Sequence, residues 1–151
     1  DSTFAIMKKK NIVPLLLRHL GAYSILELLM KVVSEAEENF FERQISWLYD
    51  LDLVGQLINK MNSDMDAEVH GNASVALVGF INQQQQLSWT SSPSRLASAL
   101  VAPESVKALL DKTLQGNAST LEHGLFVLVE LVRHGLSVAR NGGEDMPMIT
   151  E

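Results

Sequence analysis

The segment AYSILELLMKVVSEAE, residues 22–37, carries more apolar side chains than one face of a helix can hold. One stripe follows the helical spacing i, i+3, i+4, i+7, i+8 and i+11 and consists of Ile25, Leu28, Leu29, Val32, Val33 and Ala36. A second stripe, Leu26 and Met30, lies on another side of the same helix. Because a helix that is apolar on two sides must be buried on two sides, this one needs neighbours both beside and behind it.

The rest of the chain also has helical patterns, and no stretch alternates apolar and polar residues for long enough to predict a strand. Beyond the first segment, helices are predicted over residues 11–21, 39–51, 53–61, 69–87, 103–115 and 119–139, with a Ser-rich loop at 88–94. The helix at 103–115 is expected to bury Val106, Leu109, Leu110 and Leu114, and the last helix has one apolar face formed by Leu121, Leu125, Leu128, Val132 and Leu136.

The tetrapeptide Gly-Asn-Ala-Ser occurs twice, at 71–74 and again 45 residues later at 116–119. HEAT and armadillo units recur every ~40–47 residues, so the echo favours a repeat. A four-helix bundle would keep one apolar stripe per helix, whereas a stack of helical hairpins requires several. The predicted fold is therefore all-α: stacked helical hairpins, a HEAT/armadillo-like α-solenoid fragment. We expect residues 1–140 to form this domain as part of a longer chain, and 141–151 to form a flexible tail.

Composition excludes several classes of function. The chain of 151 residues has a net charge of −6, which argues against a binder of nucleic acid or of anionic membranes. It has no cysteine, so neither a disulfide framework nor a thiolate metal site is possible. No apolar run reaches the roughly 18 residues of a membrane span.

Both copies of the tetrapeptide fit the N-glycosylation rule, at Asn72 and Asn117. The alternative is structural: Gly-Asn opens a helix, and the Asn or Ser side chain accepts hydrogen bonds from its first free N–H groups. We favour the structural interpretation. The acidic run DMDAEVH at 64–70 resembles the start of a calcium loop, but it lacks the required Gly and bidentate Glu, so a solvated connector is expected.

No motif indicates catalysis. The four histidines have no metal-binding spacing, no serine lies in a nucleophile elbow, and no Gly-rich loop is placed to bind phosphate. We therefore expect no catalytic residue, cofactor or metal site, although a hydrolase concealed in a helical bundle remains an alternative.

The candidate partner-binding residues are two Arg-His pairs and one aromatic residue: Arg18, His19, Trp47, Arg133 and His134. Each Arg-His pair is expected to close a helix, where a cation interacts favourably with the negative end of the helix dipole. The ends of stacked helices form an exposed ridge, so these pairs could also contact a partner. Trp47 lies in an aromatic cluster, for which core packing is the alternative to an interface hot spot.

Several segments in order give the chain a family resemblance. LLLRHLGAYSILELLMKVV, ISWLYDLDLVGQLINKM, HGNASVALVGFI, ESVKALLDKTL and LEHGLFVLVELV together resemble the SAPS-domain family, the regulatory subunits of protein phosphatase 6-type Ser/Thr phosphatases. The resemblance covers about Phe4 to Val138. The glutamine run at 83–86 and the Ser-rich loop behind it depart from the family pattern.

The resemblance implies a non-catalytic scaffold that binds a Ser/Thr protein phosphatase catalytic subunit of the phosphatase 6 type and directs it to substrates. Further adaptor proteins are implied as partners, nucleic acid and membranes are not, and the implied location is the cytoplasm, with the nucleus as a second site. A generic armadillo- or HEAT-like adaptor unrelated to phosphatases is the alternative. Recovery of a phosphatase catalytic subunit from a lysate would separate the two.

Overall fold

A computed structural model of the chain describes residues 11–38, 50–86 and 95–145. These residues form seven helices and no strand: α1 Ile12–Arg18, α2 Tyr23–Glu38, α3 Leu53–Asn59, α4 Ala67–Gln86, α5 Arg95–Val101, α6 Pro103–Gln115 and α7 Ala118–Asp145. The predicted helix at 39–51 and the loop at 88–94 lie outside the described residues, apart from the end of that helix. The last helix extends to Asp145, into the segment expected to form a tail.

Helix boundaries follow from local chemistry. Asp52 caps α3 in a left-handed conformation, and its carboxylate accepts a hydrogen bond from the backbone N–H of Gly55. Pro103 occupies the first turn of α6, where a missing N–H is not needed by the helix. The break between α5 and α6 at Ala102 has an extended conformation, which the residue before a proline prefers.

The helices pack as three consecutive hairpins. Helix α1 packs on α2, α3 on α4, and α6 on α7. The second helices form one layer, in which α4 lies between α2 and α7, while α3 contacts α6 in the other layer. The short helix α5 bridges the second and third hairpins through contacts with α3, α4 and α6. The predicted all-α stack of hairpins is confirmed.

The core runs through the stack and is centred on α4. Buried apolar side chains come from every helix, and the largest include Leu20, Leu29, Leu57, Leu77, Phe80, Ile81 and Leu100. The two-sided burial predicted for α2 is confirmed, because Leu29 and Val33 of the first stripe and Leu26 of the second are all buried. Leu28 is an exception and is 45% exposed.

The third hairpin departs from the sequence pattern. In α6, Leu109 is buried as predicted, but Leu110 and Leu114 are 39% and 70% exposed, so the prediction was wrong for these two. In α7, the apolar face read from the sequence is mostly exposed, and a different set of residues is buried instead. Those buried residues are Thr120, Gly124, Val127 and His134.

Close approach of two backbones explains this choice of face. A Cβ atom placed on Gly124 would lie 2.0 Å from the Thr113 hydroxyl oxygen of α6 and 2.8 Å from its Cβ. Helices this close can meet only where one of them lacks a side chain, so Gly124 determines which face of α7 turns towards α6.

Candidate functional site

The turns inside the three hairpins lie together along one edge of the stack. This loop edge consists of residues 19–22 between α1 and α2, 60–66 between α3 and α4, and 116–117 between α6 and α7. Hydrogen bonds link each turn to the neighbouring hairpin, so the backbone of the edge is fixed from one hairpin to the next. A surface fixed in this way is suited to binding a partner without reordering.

Asn72 links the first hairpin to the second. Its side-chain amide Nδ2 donates a hydrogen bond to the backbone carbonyl of Leu20 at 2.6 Å. Val69, one turn earlier in α4, lies 3.5 Å from the position that a Cβ on Gly21 would occupy. The turn between α1 and α2 therefore rests directly on the first turns of α4.

His70 links the second hairpin to the third. Its ring is fully buried, Nε2 donates to the backbone carbonyl of Asn62, and Nδ1 lies 2.7 Å from the Ser119 hydroxyl. Because a carbonyl oxygen can only accept, Nε2 carries the hydrogen of that bond, and Nδ1 pairs with the Ser119 hydroxyl. A buried imidazole with both nitrogens satisfied fixes the relative positions of the 60–66 turn, α4 and α7.

Asn117 anchors the start of α7. Its side-chain oxygen accepts from the backbone N–H of Thr120 at 3.0 Å, which is the hydrogen bond of a helix N-cap. Its Nδ2 donates to the carbonyl of Ser63 at 3.2 Å, across to the second hairpin. Nearby, the Lys112 ammonium donates to the side-chain oxygen of Asn62. The 60–66 turn is thus bonded to the third hairpin at two of its residues.

Replacing Asn117 by Ala should lower the free energy of unfolding by about 0.5–2 kcal/mol, because the substitution removes an N-cap. The measurement is urea unfolding followed by circular dichroism. Asn117→Asp keeps the capping oxygen and should retain most of the stability. An Asn117→Ala variant as stable as the original chain would contradict the assignment of Asn117 as a cap.

A cleft opens beside these contacts, with a volume of about 360 Å³. It is lined by Met61, Asn62, Ser63, Ala108, Asp111, Lys112, Gln115 and Gly116. The lining includes one carboxylate and one ammonium group. Across the described ranges, no group of three His, Cys, Asp or Glu side chains could hold a metal ion. Nor is any helix in that part of the chain long and apolar enough to cross a membrane.

The family model for SAPS, described as SIT4 phosphatase-associated protein, matches residues 2–145. The chain belongs to the SAPS family. The resemblance seen in the sequence is therefore confirmed, and the loop edge described above belongs to a SAPS domain.

Curated SAPS relatives share about a quarter of their residues with this chain. Serine/threonine-protein phosphatase 6 regulatory subunit 1 of Homo sapiens is 28% identical over 134 residues, which cover 84% of this chain and 15% of the relative. The SIT4-associating protein SAP185 of Saccharomyces cerevisiae is 27% identical over 132 residues, 85% of this chain and 12% of the relative. The chain spans less than a fifth of the length of these relatives. No solved structure gives a significant match.

In this SAPS chain, Arg18 and His19 close α1, as predicted, next to the loop edge. Arg18 is the last residue of α1 and His19 its C-cap, with the His19 N–H donating to the carbonyl of Leu16. Both side chains are exposed. Trp47 lies outside the described residues, so its role stays a prediction.

Arg133 and His134 do not close a helix, because α7 continues for more than ten residues beyond them. Arg133 is exposed and donates to Glu130 at 3.0 Å, whereas His134 is only 8% exposed. At 1.5 Å per residue, Arg133 lies about 22 Å along α7 from its start at the loop edge. The structure therefore does not bring the two Arg-His pairs together on one ridge.

The two Gly-Asn-Ala-Ser copies also differ in position. The second spans the start of α7, where Asn117 caps the helix as expected, but the first lies inside α4, which begins at Ala67, so the expectation that it opens a helix was wrong. Both Asn amides donate to backbone carbonyls of a neighbouring hairpin, which supports the structural interpretation over glycosylation. Sequence reasoning missed His70 and Asn62 as link residues; their only signal was the polar segment NSDMDAEVH between two apolar helices.

Proposed function

We propose that this chain is a non-catalytic regulatory domain that binds the catalytic subunit of a Ser/Thr protein phosphatase of the phosphatase 6 type and helps direct it to substrates. The family match over residues 2–145 carries the proposal. Relatives named as regulatory subunits of phosphatase 6 and as SIT4-associating proteins support it. Cytoplasmic location, with the nucleus as a second site, belongs to the same proposal.

The loop edge is the proposed contact surface. Its turns are held across hairpins by Asn72, His70 and Asn117, so little conformational entropy is lost when a partner binds there. Arg18 and His19 give the edge an exposed donor pair at the end of α1, and exposed acidic residues of the 60–66 turn add the opposite charge. Because the loop edge carries charges of both signs, it selects a partner by electrostatic complementarity.

The proposed mechanism is tethering. A domain that holds a catalytic subunit while other parts of a longer assembly hold a substrate raises the effective concentration of one at the other. In this mechanism the regulatory domain does not take part in the chemistry. The chain alone should therefore not hydrolyse p-nitrophenyl phosphate, and it should leave the hydrolysis of this small ester by the catalytic subunit unchanged within about twofold.

Direct binding of the purified chain to a phosphatase 6-type catalytic subunit tests the proposal. Arg18→Glu should weaken binding about tenfold, measured by biolayer interferometry, because it reverses a charge on the proposed contact surface. Lys107→Glu is the matched control: it makes the same charge change at an exposed site in α6 and should bind like the original chain.

Two outcomes would count against the proposal in different ways. If Arg18→Glu and Lys107→Glu bind equally well, the contact lies away from the end of α1. If the folded chain does not bind the catalytic subunit at micromolar concentrations, the generic adaptor without a phosphatase becomes the better description.

A further inference from the structure

The outer face of α7 carries a continuous apolar stripe that the stack does not cover. Its members are Leu121, Leu125, Leu128, Val132 and Leu136, at positions i, i+4, i+7, i+11 and i+15. Four of them are 43–61% exposed, and Leu128 is half-buried. Val129, between Leu125 and Leu136 on the helix surface, is 47% exposed. Exposed stripes of this extent on a soluble domain indicate an interaction surface.

The stripe has the spacing of a coiled-coil seam. Steps of four, three and four residues from Leu121 to Val132 keep the side chains on one line of the helix, as a partner helix requires. A different face of α7, with Thr120, Gly124 and Val127, is already occupied by the stack. A partner helix packed on the α7 stripe would therefore lie outside the three hairpins.

The stripe matches itself when reversed. In an antiparallel pair of α7 helices centred between Leu128 and Val129, Leu121 of one copy lies level with Leu136 of the other. Leu125 then lies level with Val132. A pair related by a two-fold axis buries the same residues on both chains, which is the usual form of a symmetric dimer interface.

The charges beside the stripe also match in this arrangement. At 3.6 residues per turn, Glu122 and Arg133 lie on the same flank of the stripe. Antiparallel pairing places Glu122 of one copy within about one turn of Arg133 of the other, twice per dimer. Arg133 is exposed and bonded to Glu130 only at the surface, so its guanidinium can reach across.

We propose that this chain forms a symmetric dimer through antiparallel packing of the α7 stripe against a second copy of itself. The interface is small, so a dissociation constant on the order of micromolar is expected. The dimer is separate from the loop edge and does not require phosphatase binding.

Sedimentation equilibrium of the 151-residue chain between about 1 and 100 μM is the test. The original chain should show a monomer–dimer equilibrium, and Leu125→Glu/Val132→Glu should be monomeric, with a dissociation constant raised at least about 100-fold. Val75→Glu is the control, because Val75 is 48% exposed on α4 and is not part of the stripe, and this variant should dimerise normally. Circular dichroism establishes that each variant is folded.

A charge swap tests the orientation. Glu122→Arg and Arg133→Glu should each weaken the dimer several-fold, and the double variant should recover most of the loss because the pairs re-form with reversed sign. A monomeric original chain at 100 μM, a dimer that survives Leu125→Glu/Val132→Glu, or a double variant with no recovery would each overturn the proposal. So would open-ended association, which head-to-tail stacking of hairpin ends would produce.

Discussion

Phe80→Ala is expected to lower the free energy of unfolding by about 3–5 kcal/mol. Phe80 is fully buried in α4, the helix that packs against α2, α3, α5 and α7. Removing the ring exposes no new surface to water in the folded state, but it leaves a cavity whose walls belong to several helices. Those helices cannot all move inwards together, so the cavity persists and its full penalty remains.

Urea unfolding at one fixed protein concentration measures the effect, since self-association would otherwise add to the apparent stability. Val75→Ala is the matched control: Val75 lies on the same helix but is 48% exposed, so its truncation should change the free energy by less than about 0.5 kcal/mol. A Phe80→Ala loss below about 1.5 kcal/mol would mean that α4 is not the centre of the core.

Gly124→Ala is expected to destabilise the chain by about 1–3 kcal/mol, although Ala is the better helix former. The added methyl would lie 2.0 Å from the Thr113 hydroxyl oxygen and 2.8 Å from its Cβ. Thr113 cannot turn away, because it is buried and its hydroxyl donates to the carbonyl of Leu109 at 2.7 Å. The hairpin of α6 and α7 must therefore open to admit the methyl group.

Gly135 provides the opposite case on the same helix. A Cβ atom there would meet nothing within 4 Å, so Gly135→Ala should raise the free energy of unfolding by about 0.5–1 kcal/mol through helix propensity alone. Chemical denaturation of the two variants side by side is the measurement. If both glycines tolerate Ala equally, α6 and α7 do not approach as closely as Thr113 and Gly124 indicate.

The sequence predicted the parts of the fold that depend on one helix at a time. The two stripes of α2 indicated burial on two sides, and Leu29 and Leu26 are both buried. The spacing of Val54, Leu57, Ile58 and Met61 likewise predicts one apolar face for the helix at 53–61, and all four are buried. Periodicity succeeds here because every large apolar side chain on these faces has a neighbouring helix to contact.

The candidate site was less predictable. Arg18 and His19 were correctly placed at a helix end, because a leucine run followed by Arg-His and Gly marks that end locally. Arg133-His134 has the same letters, but Gly135 continues a helix instead of ending it. The Arg-His pair by itself does not distinguish the two cases, since α1 ends at Arg18 whereas α7 continues to Asp145.

The sequence alone determined that this chain is helical, layered and of the SAPS family, because apolar spacing and ordered motifs are properties of the chain itself. Tertiary structure decided which faces meet. Gly124 and Thr120 are buried, whereas Leu121, Leu125 and Val132 are exposed, although hydrophobicity alone predicts the reverse. The physical reason is that two backbones can approach closely only where side chains are small. The distance between two packed helices therefore depends on residues that are far apart in the sequence.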